Sequence, residues 1–185
     1  MLLGFEVSPR LSHPSASSRC EELLIKLLLG VEIGAELPTV WAALAEPDQV
    51  ARWRPGIVGL ASPGASFPTE GRRFRWHCRL NEVPVNLEET PTRVVPTARL
   101  ESEVRLGLFR FRQVFTLAPA QTGTRLMIQI ETGNHVAVVG GCLDRFVVHR
   151  FATDLASNYL QAVRDWCERG SARIECVAPG SLAAR

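Results

Sequence analysis

The 185-residue chain lacks most of the signatures that announce a chemistry. It has no Gly-x-Ser-x-Gly elbow, no glycine-rich phosphate loop, no His-Glu-x-x-His pair and no EF-hand loop. Nothing therefore points to an elbow-type hydrolase, a P-loop nucleotide enzyme, a zincin protease or a calcium sensor. Its cysteines, Cys20, Cys78, Cys142, Cys167 and Cys176, are odd in number and form no Cys-x-x-Cys or Cys/His spacing. Metal is not expected from such a set, and reduced thiols in a cytoplasmic protein are the simplest reading. The histidines, His13, His77, His135 and His149, are far apart, and no cofactor is implied. Apolar runs fall far short of the ~20 residues that a membrane span needs, and no basic segment precedes one as in a signal peptide. Arginine far outnumbers lysine, but the arginines are scattered among glutamates and net charge is +2. Neither nucleic acid nor an integral membrane segment is expected.

What is present is the composition of an ordinary globule, 46% hydrophobic and 22% charged. That suffices for one domain with a core. Residues 1–20, with the Ser/Pro-rich stretch Pro9–Ser18, read as a flexible leader. Residues 21–170 read as the domain, and residues 171–185 as a loose tail.

Only Val139–Arg169 sustains helical periodicity. Ala152, Leu155, Ala156, Tyr159, Leu160, Val163, Trp166 and Cys167 recur at three- and four-residue steps and form one stripe. Gly140-Gly141 sits at the entry, and Gly170 is placed for a left-handed cap. In the first half Arg145 and His149 lie near the apolar side; they either snorkel to a rim or make polar contacts at a cavity mouth.

Before this helix the chain is mostly β. Leu23–Ile33 alternates as a first strand. Pro38 and Pro47 each suit the first turn of a short helix, Thr39–Ala45 and Asp48–Trp53, and Arg54-Pro55-Gly56 ends the second. Ile57–Ala61 is a possible short strand, and Ser62–Gly71 a loop. In Arg72–Leu80 the residues Phe74, Trp76, Cys78 and Leu80 face one way and Arg73, Arg75, His77 and Arg79 the other. Asn81-Glu82 turns the chain into Val83–Thr90. Ala98–Leu106 opposes Leu100, Ser102, Val104 and Leu106 to Arg99, Glu101, Glu103 and Arg105. Leu108–Leu117 puts Phe109, Phe111, Gln113, Phe115 and Leu117 on one face. Thr124–Thr132 shares Leu126, Ile128 and Ile130. Strands with one charged and one apolar face make an antiparallel sheet wetted on one side, with Arg and Glu pairing across it.

This order, with its punctuation, resembles the START-like, helix-grip (SRPBCC) superfamily, and is most similar to its polyketide cyclase/dehydrase-like, bacterial branch. The resemblance rests on Val31-Glu32-Ile33 followed by Leu37-Pro38-Thr39-Val40-Trp41, on Pro47-Asp48 through Trp53-Arg54-Pro55-Gly56, and on Phe115-Thr116-Leu117 with Gly123-Thr124-Arg125-Leu126. It covers roughly Leu23–Glu168. It implies an α+β helix-grip fold: a curved seven-stranded antiparallel sheet wrapped around a long C-terminal helix, with two short helices after strand 1. It also implies an apolar cavity between sheet and helix. The lining then expected is Trp53, Phe74, Trp76, Leu87, Gln113, Phe115, Ile128, Arg145, His149 and Ala152. Gln113 is the informative member, since an inward amide needs partners: a neighbouring side chain, a buried water or a ligand. Glu89 is either an inward candidate base or a wet strand-end residue.

A dry cavity of ~300 Å³, the lower end for ligand pockets, would cost on the order of 7 kcal/mol at about 24 cal/mol per Å³. Whole-domain stabilities are about 5–15 kcal/mol. The interior is therefore expected to be smaller, watered near Gln113, or occupied. Binding or transport of a small hydrophobic ligand, by a monomer or homodimer, is the leading expectation. A cyclase/dehydrase-type enzyme using the same cavity, or a protein-interaction domain with a filled core, are the alternatives.

Overall fold

The computed structural model describes residues 25–62, 66–80, 83–107, 109–132 and 142–175. The expectations for the leader, the Asn81-Glu82 turn, His135, the Gly140-Gly141 entry, Cys176 and the tail beyond Glu175 lie outside the described residues, as does the side chain of Arg145. The elements run β1 (Ile25–Ile33), α1 (Leu37–Ala45), α2 (Pro47–Trp53), β2 (Ile57–Leu60), β3 (Phe74–Leu80), β4 (Val83–Val95), β5 (Arg99–Leu106), β6 (Phe109–Ala120), β7 (Gly123–Thr132) and α3 (Cys142–Glu175). The strands form one antiparallel sheet in the order β1-β7-β6-β5-β4-β3-β2.

The strand phases place the core. Phe74, Trp76 and Cys78 of β3, Leu87 of β4, Leu100 and Val104 of β5, Phe115 of β6 and Ile128 and Ile130 of β7 are all buried on one face. Ala152, Ala156, Tyr159, Leu160, Val163 and Cys167 of α3 are buried too. With Val40, Leu44 and Trp53 from the short helices, most of these close into one apolar cluster, and Trp76, Leu87 and Val104 join a second beside it. Fully burying each large member contributes roughly 1.5–3 kcal/mol. The opposite face carries the expected ladder of charge: Lys26–Glu131, Glu131–Arg112 and Arg112–Glu101 run across neighbouring strands, and Arg99 joins Glu101 from within β5.

Two boundaries differ most from the sequence expectation, while β6 runs three residues further, to Ala120. β4 passes through Pro91 to Val95 instead of ending at Thr90. Pro91 still faces Ser102, and a register shift just after it leaves Thr92 as the extra residue, so that pairing resumes at Arg93. α3 continues through Gly170 to Glu175 instead of capping there. A helical glycine costs only about 1 kcal/mol relative to alanine, and the segment after it, Ser171-Ala172-Arg173-Ile174-Glu175, is compatible with helix.

One glycine is set by geometry. Gly123 turns β6 into β7 at φ 142°, and a Cβ there would collide with the carbonyl of Ile33 and with the Ala35 backbone. Thr124 Oγ1 then donates to the Ala35 carbonyl at 2.9 Å. The hairpin tip thus holds the β1–α1 connection, which sets where α1 and α2 meet the sheet.

Candidate functional site

The polar groups buried under the sheet begin at the end of α2. Pro55 prevents the helix from continuing, and Gly56 at φ 78° turns the chain. Trp53 swings inward; its Nε1 donates to the Ala43 carbonyl at 2.6 Å and its ring meets Tyr159 edge-on at 5.9 Å. Arg54 follows it inside and is 5% exposed.

Arg54 meets Glu89, which the phase of β4 directs inward between Phe74 of β3 and Val104 of β5. Arg54 Nη1 donates to Glu89 Oε2 at 2.9 Å, and Trp76 Nε1 donates to the same oxygen at 3.1 Å. The Arg54 guanidinium carbon lies 4.8 Å from the centroid of the Tyr159 ring. Burial alone would lower the Arg54 pKa, but Tyr159 and Glu89 outweigh it and hold the proton more tightly than usual. Glu89 is neither a free inward base nor a wet strand-end residue: one of its oxygens takes two donors.

Four buried side-chain atoms have no hydrogen-bond partner among the described residues: Arg54 Nε, Arg54 Nη2, Ser102 Oγ and Gln113 Oε1. Ser102 and Gln113 are register partners on β5 and β6, so their inward side chains oppose each other. Most buried polar groups in native proteins are partnered, and leaving one without costs about 1–3 kcal/mol. Two donor nitrogens of Arg54, the Ser102 hydroxyl and the Gln113 amide oxygen are thus buried with hydrogen-bonding capacity that no described residue meets.

An apolar pocket lies between the first half of α3 and the β6–β7 sheet. It is lined by Phe109, Phe111, Ile130, Thr132, Phe151, Ala152 and Leu155, with a volume of about 20 Å³. That is room for about one water molecule. At its rim Phe109 and Phe151, 43% and 45% exposed, stack at 6.0 Å.

Of the residues expected to line a cavity, Trp53, Phe74, Trp76, Leu87, Gln113, Phe115, Ile128 and Ala152 are all buried. Only Ala152 lines the pocket, beside Phe111. Trp53 braces α2 against α1 and α3, and Trp76 serves Glu89. His149 is exposed on α3, so the structure does not bring it to the buried polar groups. Sequence reasoning did not single out Arg54, Ser102 or Tyr159. Ser102 was legible, since it shares the inward phase of Leu100 and Val104. Burial pushes the thiol of Cys78 up, and that of Cys167, with a smaller effect of Glu168, up to about 11. Among the described residues no group of His, Cys, Asp and Glu could hold a metal ion, and no helix is long and apolar enough to cross a membrane.

Comparison with known proteins bears on this arrangement. The family described as polyketide cyclase / dehydrase and lipid transport matches residues 26–165. No curated protein matches the sequence. Among solved structures, the chain is similar to a protein of unknown function from Staphylococcus aureus, with 10% identity, a TM-score of 0.68, and 80% of this chain and 96% of that one covered. A START superfamily protein from Mycobacterium smegmatis gives 14% identity and a TM-score of 0.60 over 79% and 97%. A Chromobacterium violaceum protein gives 16% and 0.61 over 77% and 97%. At these identities the likeness speaks to the fold alone.

Proposed function

The chain belongs to the polyketide cyclase / dehydrase and lipid transport family, and from that premise we propose that it binds a small hydrophobic molecule between the sheet and α3. One observation carries the reading: Arg54, Ser102 and Gln113 hold buried polar atoms without a partner among the described residues, in an interior that apart from Glu89 is lined mainly by aromatic and aliphatic side chains. A ligand with an apolar body and a few oxygen or nitrogen atoms supplies what those atoms lack. The Phe109–Phe151 stack closes the rim, and ligand entry requires it to part. The buried thiol of Cys78 suits a reducing, cytoplasmic compartment.

The test is a titration of the purified protein with a neutral hydrophobic probe, followed by tryptophan fluorescence, beside the variant Gln113→Leu. We expect saturable binding that the variant weakens severalfold, with folding stability unchanged or raised because the lost oxygen had no partner. No saturable binding would count against the reading, as would a variant that binds like the parent. Turnover is a second reading, supported by the buried carboxylate of Glu89. Unchanged product formation by Glu89→Gln, on a substrate shown to react, would remove it.

A further inference from the structure

We propose that the ligand of this interior carries a carboxyl group, received by the free edge of Arg54. The inference rests on the hydrophobic-ligand reading above and names the polar end of that ligand. A guanidinium presents its N–H groups along forked edges, Nη1 beside Nη2 at its end and Nε beside Nη2 at its side. Glu89 occupies Nη1 only, at 2.9 Å, and Trp76 Nε1 holds the same carboxylate oxygen at 3.1 Å. The Tyr159 ring lies 4.8 Å from the guanidinium carbon. Tyr159 acts on Arg54 through its hydroxyl as well as its ring, yet the side edge, Nε and Nη2, is buried with no acceptor in hydrogen-bond geometry among the described residues. The two free nitrogens belong to one fork. A single hydroxyl satisfies half of it, whereas the two coplanar oxygens of a carboxyl group satisfy both nitrogens in the bidentate geometry that arginine favours.

Glu89 already offsets the Arg54 charge, so selection rests on the fork's shape rather than on net charge. The second unpartnered pair lies on the same inner face: Glu89 faces Val104, two residues along β5 from Ser102, and Ser102 faces Gln113. Diagonal neighbours of this kind are about 7–8 Å apart.

The experiment compares decanoic acid with decan-1-ol, equal in chain length and differing at the head, by calorimetry on the full chain. We expect the acid to bind at least about tenfold more tightly, the scale of a charge-assisted bidentate pair. In Arg54→Gln/Glu89→Gln, which removes both charges together, the ratio of acid to alcohol affinity should fall to within about twofold. Arg54→Lys keeps a cation without the fork and should lose the preference as well; it serves if the double variant fails to melt cooperatively. Equal affinity of acid and alcohol for the native chain overturns the carboxyl assignment and leaves hydrophobic binding standing. So does a preference that survives in these variants. Failure of both compounds to bind removes the hydrophobic-ligand reading and this inference with it.

Discussion

Arg54 reaches Glu89 across 35 residues of chain and engages it through Nη1 alone, at 2.9 Å in a site from which water is nearly excluded. Breaking such a pair from one side leaves a buried charge without compensation, which costs about 3–5 kcal/mol. We therefore expect Arg54→Met to lose that much stability in urea unfolding, with Arg54→Gln/Glu89→Gln recovering most of it. A single variant as stable as the parent would mean that the pair is solvated.

Gly123 should tolerate no side chain. Its φ of 142° is strained for other residues, and an added Cβ meets the backbone of Ile33 and Ala35. Backbone strain of this kind costs about 1–3 kcal/mol before any collision. Gly123→Ala should lower the unfolding midpoint by at least that equivalent, and an unchanged midpoint would show that the β1–α1 connection yields freely.

Much of this was legible in the sequence, for one reason. Alternation has a period of two, so Phe111 and Phe115 fix the direction of Gln113 between them, and Leu100 and Val104 do the same for Ser102. The stripe Ala152 to Cys167 declared the buried side of α3. Arg54 was not legible, because Arg52-Trp53-Arg54-Pro55-Gly56 leaves a helix without entering a strand. Neither period applies there, and nothing local says which arginine turns in. The answer lies with Glu89, far along the chain. Pro91 misled for a related reason: it removes a ladder donor, and only the bulge after it, set by pairing with β5, shows that the strand goes on.

Acid should weaken the fold through the charged face. Glu101 is partly buried, which favours its neutral form, but hydrogen bonds from Arg112 and Arg99 outweigh this and hold its pKa below the ordinary 4.5. Lys26, then Arg112 against the effect of burial, do the same for Glu131. A carboxylate with a depressed folded-state pKa contributes stability that is complete above about pH 4.5 and lost as pH falls through the folded value. Glu101→Gln should therefore be less stable than the parent at pH 7, with the difference closing in acid. A difference independent of pH between 7 and 3 would contradict the assignment. The arginines are well exposed, so the effect should be modest and should shrink in high salt.

The Phe109–Phe151 stack should govern how fast ligands enter. Exposed aromatic pairs contribute about 0.5–1.5 kcal/mol, so Phe151→Ala should change stability little. Stopped-flow mixing with a hydrophobic probe should show association severalfold faster in the variant. An unchanged rate would place entry elsewhere.

The most direct measurement is native mass spectrometry of freshly purified protein, followed by denaturation and extraction. If the unmet hydrogen-bonding capacity of Arg54, Ser102 and Gln113 exists to hold a molecule, the folded chain should carry a discrete extra mass, released on unfolding and recovered as a compound with an apolar body and a carboxyl end. A folded protein with the bare mass of the chain, which then takes up neither decanoic acid nor decanol, would contradict the claim.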